Sequence, residues 1–421
     1  MTSLVLFGSL VVFFAMGVPI AFSLGLSSLC AIYYSGALPP ALLIQKLFSA
    51  NDSFPLMAIP YFILAGSIMS RGGISVRLVN LASALAGGLP GGLAVVAVLG
   101  CIFFGALSGS PVATVAAVGG VMVPSMIKKG YAAPFCGAVM AAAGPLGALI
   151  PPSIALIIYG VSAGESISSL FIATVIPGLL MGAVLMLASG YLANRKGYGG
   201  QLDNKGDLPS LFAEAIWALF MPVIILGGIY GGIFTPTEAA VISVVYGLIV
   251  GIFIYRELKW HMTREIIVES VVGTATVMVI INFSSVLSAF LTSERIPQMV
   301  SETFLAMSDS PFIIILFINL IMLVVGTFMD AAPAIVILTP VFLPLVKTIG
   351  YDPIHFGIIM CMNLLIGLVT PPVGVTLFMG SRVAKTKVDE VVGQVWPLLI
   401  AMFFVLLLVN VFPQLSLILL R

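Results

Sequence analysis

The chain contains very little charge. Only 8% of its 421 residues are charged and 61% are hydrophobic, whereas about 25% of the residues of a soluble domain are charged. This composition excludes a soluble globule and predicts an integral membrane protein. Nucleic-acid binding requires a clustered basic surface. The net charge of only +1 argues against such a surface, so we expect no nucleic-acid partner.

Histidine and cysteine are scarce as well. The chain has two histidines and four cysteines. Cys30, Cys101, Cys136 and Cys361 lie far apart in apolar runs, with no CxxC or Cys/His spacing. A disulfide framework and a transition-metal site are therefore both poor interpretations.

Long apolar runs fill the rest of the chain. A spanning helix needs about 20 apolar residues, and the runs suffice for about ten or eleven crossings. The ten-residue alternation of a barrel is missing. The predicted fold class is an all-α polytopic membrane protein. Its first span is predicted over Met1–Tyr34, kinked at Gly17-Val18-Pro19.

One polar stretch occurs twice. The first copy reads FGALSGSPVATVAAVGGVMVPSMIKKGY and continues to GPLGALIPPSIALIIYG; the second reads VGTFMDAAPAIVILTPVFLPLVKTIGY and continues to NLLIGLVTPPVGVTLFMG. The same offset of 220 positions relates Pro124 to Pro344, Gly147 to Gly367, and Pro151-Pro152 to Pro371-Pro372. Each copy is predicted as a re-entrant hairpin, Leu107–Lys128 or Thr327–Lys347, followed by a helix broken at the two prolines.

Paired hairpins and broken helices are typical of transporters whose site lies at the membrane midplane between repeats. Two adjacent prolines remove two N–H donors and leave upstream carbonyls unpaired, which lipid does not tolerate. Helix N-termini favour anions, and freed carbonyl oxygens can coordinate Na⁺. A simple kink would explain one copy, but two copies at a constant spacing favour a functional site.

The repeat predicts five parts of the chain. These are N-terminal scaffold spans with an amphipathic arm (1–92), a first transport-domain half (93–194), central scaffold spans with a second arm (195–310), a second transport-domain half (311–390) and a C-terminal span (391–421). The arms, Gly72–Leu85 and Ser293–Ser308, are too polar to span and should lie on the membrane surface or brace another domain. Breaks are predicted at Gly87–Gly92 and at the polar connection Arg195–Ser210.

Hydroxyl groups mark the first copy. Ser108, Ser110 and Thr114 lie near the predicted hairpin tip, and Ser153 directly follows the two prolines. These side chains could bind a ligand oxygen or an ion. They could equally satisfy local backbone groups or pack between close helices, as is common in membranes.

Asp330 is the most informative residue of the second copy. It lies in an apolar context, where a carboxylate costs at least ~2.5 kcal/mol unless it is paired, hydrated or ion-bound. Thr327, Asn363 and Thr370 supply further oxygens. Asp330 could instead lie at a water-exposed hairpin mouth, and Asn363 could join two helices.

Three function classes compete. A Na⁺-driven secondary transporter fits the broken half-helices, whereas a channel or passive pore subunit should have continuous polar helices. An intramembrane aspartyl enzyme needs a second carboxylate, but the position matching Asp330 is Ser110. Charged residues such as Arg71, Arg77 and Arg264 are interpreted as caps, topology determinants or subunit contacts.

One count conflicts with an inverted repeat. Such a repeat needs an odd number of crossings between equivalent points, yet the predicted spans between the hairpins are even in number. Either a segment within Leu211–Leu291 is misassigned or the repeat is parallel.

At these residues the chain resembles the large membrane subunit of the tripartite ATP-independent periplasmic (TRAP) transporters, a family that includes C4-dicarboxylate and sialic acid uptake systems. The resemblance covers essentially the whole chain. It is carried by Ser108-Gly109-Ser110-Pro111-Val112-Ala113-Thr114, Gly147 through Pro151-Pro152-Ser153, Thr235-Pro236-Thr237-Glu238, Gly326 with Asp330, and Gly367 through Thr370-Pro371-Pro372.

The resemblance implies an elevator-type transport domain in a scaffold and Na⁺-coupled uptake of an organic acid across a bacterial inner membrane. Na⁺ is the implied coupling ion, with no organic cofactor. A small membrane subunit in trans and a periplasmic substrate-binding protein are the implied partners. Sialic acid is slightly preferred over C4-dicarboxylates.

The family pattern also assigns site residues. Substrate contact is expected at Ser108, Ser153 and Asp330, with Ser110, Thr114 and Asn363 as further candidates. Na⁺ is expected at the hairpin tips and Pro-Pro regions, with Ser108, Ser110, Gly147, Pro151, Gly326, Thr327, Gly367 and Thr370 as candidate ligands.

Overall fold

A computed structural model describes residues 1–36, 38–86, 88–89, 91–199 and 207–420. Within these residues every regular element is helical. The predicted breaks at Gly87–Gly92 and Arg195–Ser210 lie partly outside the described residues. Asp203 and Lys205 of the second break are among the residues not described.

The first half of the chain forms eleven described α-helices, several of them short. They are α1 (Thr2–Ala15), α2 (Ile20–Ser35), α3 (Pro40–Ser49), α4 (Ala58–Arg71), α5 (Ile74–Ala86), α6 (Gly92–Ser108), α7 (Pro111–Lys128), α8 (Ala133–Ala143), α9 (Leu146–Leu149), α10 (Ile154–Ala163) and α11 (Ile167–Arg195). A 3₁₀ turn at Phe54–Met57 precedes α4.

The second half contains ten described α-helices. They are α12 (Leu208–Tyr230), α13 (Pro236–Ile249), α14 (Thr263–Ser293), α15 (Ile296–Met307), α16 (Pro311–Phe328), α17 (Ala331–Thr348), α18 (Pro353–Gly367), α19 (Val375–Ala384), α20 (Val388–Val411) and α21 (Gln414–Leu417). A π-helical segment, Val250–Ile254, extends α13, and 3₁₀ turns occur at Trp260–Met262 and Ile418–Leu420.

Helix starts follow from local sequence. Thr235 accepts a hydrogen bond from the backbone N–H of Glu238, whose carboxylate accepts one from the backbone N–H of Thr235. This reciprocal capping box, with Pro236 at the first helical position, begins α13. Ser110 and Pro111 begin α7 in a similar way, with the serine hydroxyl accepting from the third residue of the helix.

The N-terminal apolar run forms two helices. Gly17 adopts a φ of +76° between α1 and α2, and the two helices pack on each other, burying Leu6 together with Leu24. A single kinked span over Met1–Tyr34 is therefore wrong. The Gly-Val-Pro sequence reverses the chain instead of bending it.

Both amphipathic arms pack against other helices. Helix α5 buries Ile74, Leu78 and Leu81 and contacts α6 and α12. Helix α15 packs on α17, with Phe304 edge-on to Phe342. The arms therefore pack on the helix bundle, which is compatible with both interpretations, the membrane surface and bracing of another domain.

Each hairpin consists of two long helices. Helix α6 ends at Ser108 and α7 begins at Pro111; α16 ends at Phe328 and α17 begins at Ala331. The helices of each pair contact each other, and these boundaries at the two tips differ by 220 positions. The structure therefore confirms the internal repeat.

The predicted hairpin bounds, Leu107–Lys128 and Thr327–Lys347, are wrong because they contain only the second helix of each hairpin. The first helices, α6 and α16, are as apolar as spanning helices, which explains their assignment as separate spans. Removing α16 from the spans leaves five crossings between the hairpins: the bent α8–α10, then α11, α12, α13 and α14. Five is odd, as an inverted repeat requires.

Among the described residues, nine helical segments are long and apolar enough to cross a membrane, or up to ten if the bent pair Ala133–Leu149 and Ile154–Ala163 is one span. The two halves interlock: α10 packs on α17 and α18, and α19 packs on α7 and α8. The hairpins and broken helices thus belong to one continuous core.

Candidate functional site

A cavity of about 660 Å³ lies where the two hairpin tips meet helices α4 and α14. The described residues that line it are Ile63, Gly66, Ser67, Ser70, Arg71, Ser108, Gly109, Ser110, Pro111, Val112, Ala113, Ala116, Ala117, Ala148, Ile154, Ala155, Glu269, Gly273, Val277, Asp330, Ala331, Ala332, Leu365 and Met379. The sequence-predicted residues Ser108, Ser110 and Asp330 are therefore brought together on one cavity.

Three helix N-termini face this cavity. The first residues of α7, α10 and α17 line it, represented by Pro111, Ile154 and Ala331. The first N–H groups of a helix have no partner within the helix, and the helix dipole adds a partial positive charge there. Side-chain oxygens of Ser110, Ser153 and Asp330 each cap one of these N-termini, so the remaining N–H groups and the helix dipoles are what this wall offers to a negatively charged group.

The first hairpin tip is a cluster of hydroxyl and carbonyl oxygens. The hydroxyls of Ser108 and Thr114 lie 2.9 Å apart, and the Thr114 hydroxyl donates to the Ser110 carbonyl at 2.9 Å. Ser108 and Thr114 are buried, whereas Ser110 is half-buried. The tip therefore presents several hard oxygen atoms within a small volume.

Glycine contacts hold each hairpin against a broken helix. A Cβ atom added at Gly105 of α6 would lie 2.7 Å from the Cα atom of Gly147 in α9. In the second copy, a Cβ atom at Gly367 would lie 2.6 Å from the carbonyl carbon of Gly326. Since backbone cannot yield to a methyl group, these contacts fix both tips against the proline breaks.

Asp330 forms the second tip. It is the N-cap of α17, and its Oδ1 accepts a hydrogen bond from the N–H of Ala331 at 2.7 Å. Its side chain is exposed to the cavity. Thr327 and Thr370 are buried and are not among the described residues that line the cavity. Their hydroxyls donate to the Val324 and Ile366 carbonyls within their own segments.

The proline breaks use hydroxyls to satisfy freed carbonyls. Ser153 is fully buried, donates to the Ala148 carbonyl and accepts from the Leu156 N–H. In the second break, Thr376 donates to the Leu368 carbonyl at 2.8 Å. Both Pro-Pro bonds, Pro151-Pro152 and its counterpart in the second copy, are cis. Ser153 is not among the described residues that line the cavity.

Asn363 also lies away from this cavity. Its Nδ2 donates to the Asn319 Oδ1 at 2.6 Å, and the Asn319 Nδ2 donates to the Asn410 Oδ1 at 2.9 Å. All three amides are buried. They form a hydrogen-bonded chain across α16, α18 and α20, which is the helix-joining role that the sequence left open.

Sequence reasoning missed the opposite wall. Arg71 of α4 and Glu269 of α14 line the cavity, and the guanidinium of Arg71 donates to Glu269 at 3.2 Å and also to Glu265. A spacing of four residues places Glu265, Glu269, Gly273 and Val277 on one face of α14. Two glutamates and a glycine at this spacing form a face of α14 without a large hydrophobic side chain before Val277. This pattern was the available sequence signal that this face of α14 does not pack against lipid.

Among the described residues there is no cluster of three His, Cys, Asp or Glu side chains that could hold a metal ion. A Na⁺ ion, in contrast, suits hydroxyl and backbone carbonyl oxygens, which transporters of this kind provide at broken helices. The oxygens of the Ser108, Ser110 and Thr114 cluster have that chemistry.

Duplicated hairpins and broken helices around one cavity are typical of multi-pass membrane transporters built from internal repeats. The chain matches the model of the DctM component of the tripartite ATP-independent periplasmic transporters over residues 7–415. It belongs to this family and is its large membrane subunit. The resemblance found in the sequence is confirmed.

Related proteins of this family are named for different substrates. The chain is 46% identical over 411 residues to the isethionate TRAP transporter permease protein DctMQ of Oleidesulfovibrio alaskensis, covering 97% of this chain and 65% of that protein. It is 40% identical over 418 residues to the 2,3-diketo-L-gulonate TRAP transporter large permease protein YiaN of Escherichia coli, covering 99% of this chain and 98% of that protein. With the sialic acid TRAP transporter large permease protein SiaM of Vibrio cholerae the identity is 38% over 416 residues, covering 98% and 97%.

A solved structure shares the fold. The YdaH transporter of Alcanivorax borkumensis superposes with a TM-score of 0.60 over 89% of each chain, at 15% sequence identity. At this identity the similarity concerns the architecture only. The curated relatives are transport permeases, which agrees with the expectation of a transporter rather than an enzyme.

Proposed function

We propose that this chain carries an organic anion across the inner membrane together with Na⁺. The observation that carries the proposal is the pairing of three helix N-termini with Asp330 around one cavity. The N-termini attract the anion. The carboxylate and the oxygens of the tips attract the cation.

The charges of the cavity support coupling to a cation. Among the described lining residues, Glu269 and Asp330 are acidic and Arg71 is basic. These lining side chains have more negative than positive charge, and an organic anion would add further negative charge to the cavity. A bound Na⁺ offsets that charge, so the anion and the cation each favour binding of the other.

Na⁺ is proposed at two related positions. The first uses oxygens of Ser108, Ser110, Gly147 and Pro151, and the second uses oxygens of Gly326, Thr327, Gly367 and Thr370. Support comes from the close backbone contacts between each hairpin and its broken helix. These contacts gather carbonyl oxygens that the prolines leave without intrahelical donors.

An elevator mechanism is proposed from the packing. The two hairpins and two broken helices, in 93–194 and 311–390, interlock through α10 with α17 and α19 with α8. Helices α4 and α14 supply the opposite cavity wall. We expect the interlocked body to move past these scaffold helices with substrate held between them.

The substrate class is proposed as an organic acid, without a preference for sialic acid. The relatives named above concern a sulfonate, a keto sugar acid and sialic acid, and further relatives concern C4-dicarboxylates. All of these compounds carry an acid group. A small membrane subunit and a periplasmic substrate-binding protein are the proposed partners.

Reconstitution tests the proposal. The chain, with its small subunit, is placed in liposomes, and uptake of labelled isethionate, succinate or sialic acid is followed with the cognate binding protein outside. We expect accumulation of at least one compound only under an inward Na⁺ gradient. Uptake that survives a Na⁺ ionophore would reject coupling, and single-channel currents would favour a pore.

A further inference from the structure

We propose that Arg71 binds the acid group of the substrate on the scaffold side of the cavity, in exchange for Glu269 and Glu265. This inference rests on the proposed function, because it concerns an organic anion in the same cavity. It adds a specificity-determining residue on the wall opposite the hairpin tips, where sequence reasoning assigned only a structural role.

The position of Arg71 gives it access to the cavity. It is the last residue of α4, and a spacing of four places it on the same helix face as Ser67 and Ile63, which also line the cavity. Gly66 brings this helix against the first hairpin tip, since an added Cβ atom would lie 3.2 Å from the Cα atom of Ser108. Arg71 follows Gly66 in the same helix and therefore lies about 1.4 helical turns from the contact with the tip.

Charge singles Arg71 out. It is the only cationic side chain among the described residues that line the cavity. The guanidinium is planar, remains charged at all accessible pH values and binds the paired oxygens of an acid group through two parallel N–H bonds. A carboxylate and a sulfonate both present such oxygens.

The present partners of Arg71 are exchangeable. Its side chain is 35% exposed, and those of Glu265 and Glu269 are 66% and 59% exposed. Ion pairs this open to solvent contribute little stability. Glu269 also accepts a hydrogen bond from the Ser67 hydroxyl at 3.0 Å, so it retains a partner when Arg71 turns to a substrate.

The arrangement sets a geometric requirement on the substrate. An acid group on Arg71 faces α4 and α14, whereas the N-termini of α7, α10 and α17 lie on the other wall. A molecule with an acid group at one end and a hydroxyl or second acid group at the other contacts both walls. Such a molecule joins the scaffold to the moving body.

The test compares charge variants of the purified membrane complex. Binding of isethionate, succinate and sialic acid is titrated in sodium chloride by thermal stabilisation. We expect Arg71→Gln to raise the half-saturating concentration roughly tenfold to a hundredfold and Arg71→Lys to raise it less. Glu269→Gln should lower it several-fold, because it removes a competitor for Arg71.

Arg77→Gln is the matched control. Arg77 pairs with Glu257 at 2.7 Å and lies over the Tyr255 ring, outside the described lining of the cavity. Its loss should lower thermal stability without moving the half-saturating concentration.

If Arg71→Gln and Glu269→Gln shift affinity in the same direction, or if Arg71→Gln leaves it unchanged, Arg71 does not bind the anion. A wild-type complex that binds none of the three anions would instead overturn the proposed function and, with it, this assignment.

Discussion

Gly137 of the first copy and Gly380 of the second face each other across the interlocked halves. A Cβ atom at Gly137 would lie 3.1 Å from the carbonyl oxygen of Gly380, and a Cβ atom at Gly380 would meet the Gly137 carbonyl oxygen more closely still. The related contact on the other side places Gly357 against the ring of Tyr159, whose hydroxyl donates to the Pro353 carbonyl at 2.6 Å. The two copies are thus joined twice.

Gly380→Ala should destabilise this junction. The added methyl group meets backbone of α8, which cannot move without displacing the whole helix, and overpacking of this kind costs about 1–3 kcal/mol. We expect a lower midpoint of thermal aggregation in detergent. Gly120→Ala in α7 is the control, because nothing lies within 4 Å of its added Cβ atom. An equal loss of stability in both variants would show that the junction is not tightly packed.

Thr114→Val should loosen the first hairpin tip. The substitution keeps the shape of the side chain but removes its hydrogen bonds to the Ser108 hydroxyl and the Ser110 carbonyl. The Ser110 carbonyl keeps the Thr114 backbone N–H and the Ser108 hydroxyl keeps its Ser110 contacts, so the expected cost is that of lost hydrogen bonds, about 0.5–1.5 kcal/mol each. We expect a lower thermal midpoint and a higher Na⁺ concentration for half-maximal transport.

Thr276→Val is the matched control for that change. The Thr276 hydroxyl is exposed and donates only to the Val272 carbonyl one turn earlier, at 2.8 Å. Its removal should leave the thermal midpoint nearly unchanged. Thr114→Ser should retain wild-type Na⁺ dependence, and a Ser variant as impaired as Val would show that the hydroxyl is not the important group.

Asn319→Leu should destabilise the buried amide chain. Asn319 accepts from Asn363 and donates to Asn410. Its loss removes the donor of the buried Asn410 Oδ1, at about 1–3 kcal/mol, whereas the Asn363 amide loses one hydrogen bond and keeps the Asn319 backbone carbonyl. Adding Asn410→Leu should recover part of the loss, because one of those amides is then removed. Thermal midpoints of the two single variants and the double variant measure this coupling. Additive losses would contradict it.

The repeat and the hairpin tips could be predicted from the sequence. A constant offset between prolines and glycines identifies equivalent backbone breaks without any packing information, and it brought Ser108 and Asp330 to one site. The turn residues Gly109 and Ser110 and the Thr235 capping box are local signals that tertiary packing did not override.

Other features depend on contacts that the sequence does not display. A hairpin helix such as α16 and a spanning helix have the same apolar composition, so the two cannot be distinguished by length or hydropathy. Arg71 and Glu269 are far apart in the chain and meet only because α4 packs on α14. The reversal of the chain at Gly17 similarly depends on whether Leu6 packs on a residue of the same apolar run, as it does on Leu24, or on another part of the protein.

Asp330→Asn should slow transport strongly without loss of folding. Its Oδ1 caps α17 through the Ala331 N–H, and asparagine caps a helix as well as aspartate does, so only the charge is removed. Loss of a charged hydrogen-bonding or ion contact costs about 1.5–3 kcal/mol, which is roughly a tenfold to hundredfold fall in the transport rate at limiting Na⁺.

Asp330→Glu keeps the charge and should retain more activity. Asp330→Ala removes the cap as well and should cost about a further 1 kcal/mol of stability. Wild-type uptake in the Asn variant, with the thermal midpoint unchanged, would remove the Asp330 carboxylate from the site.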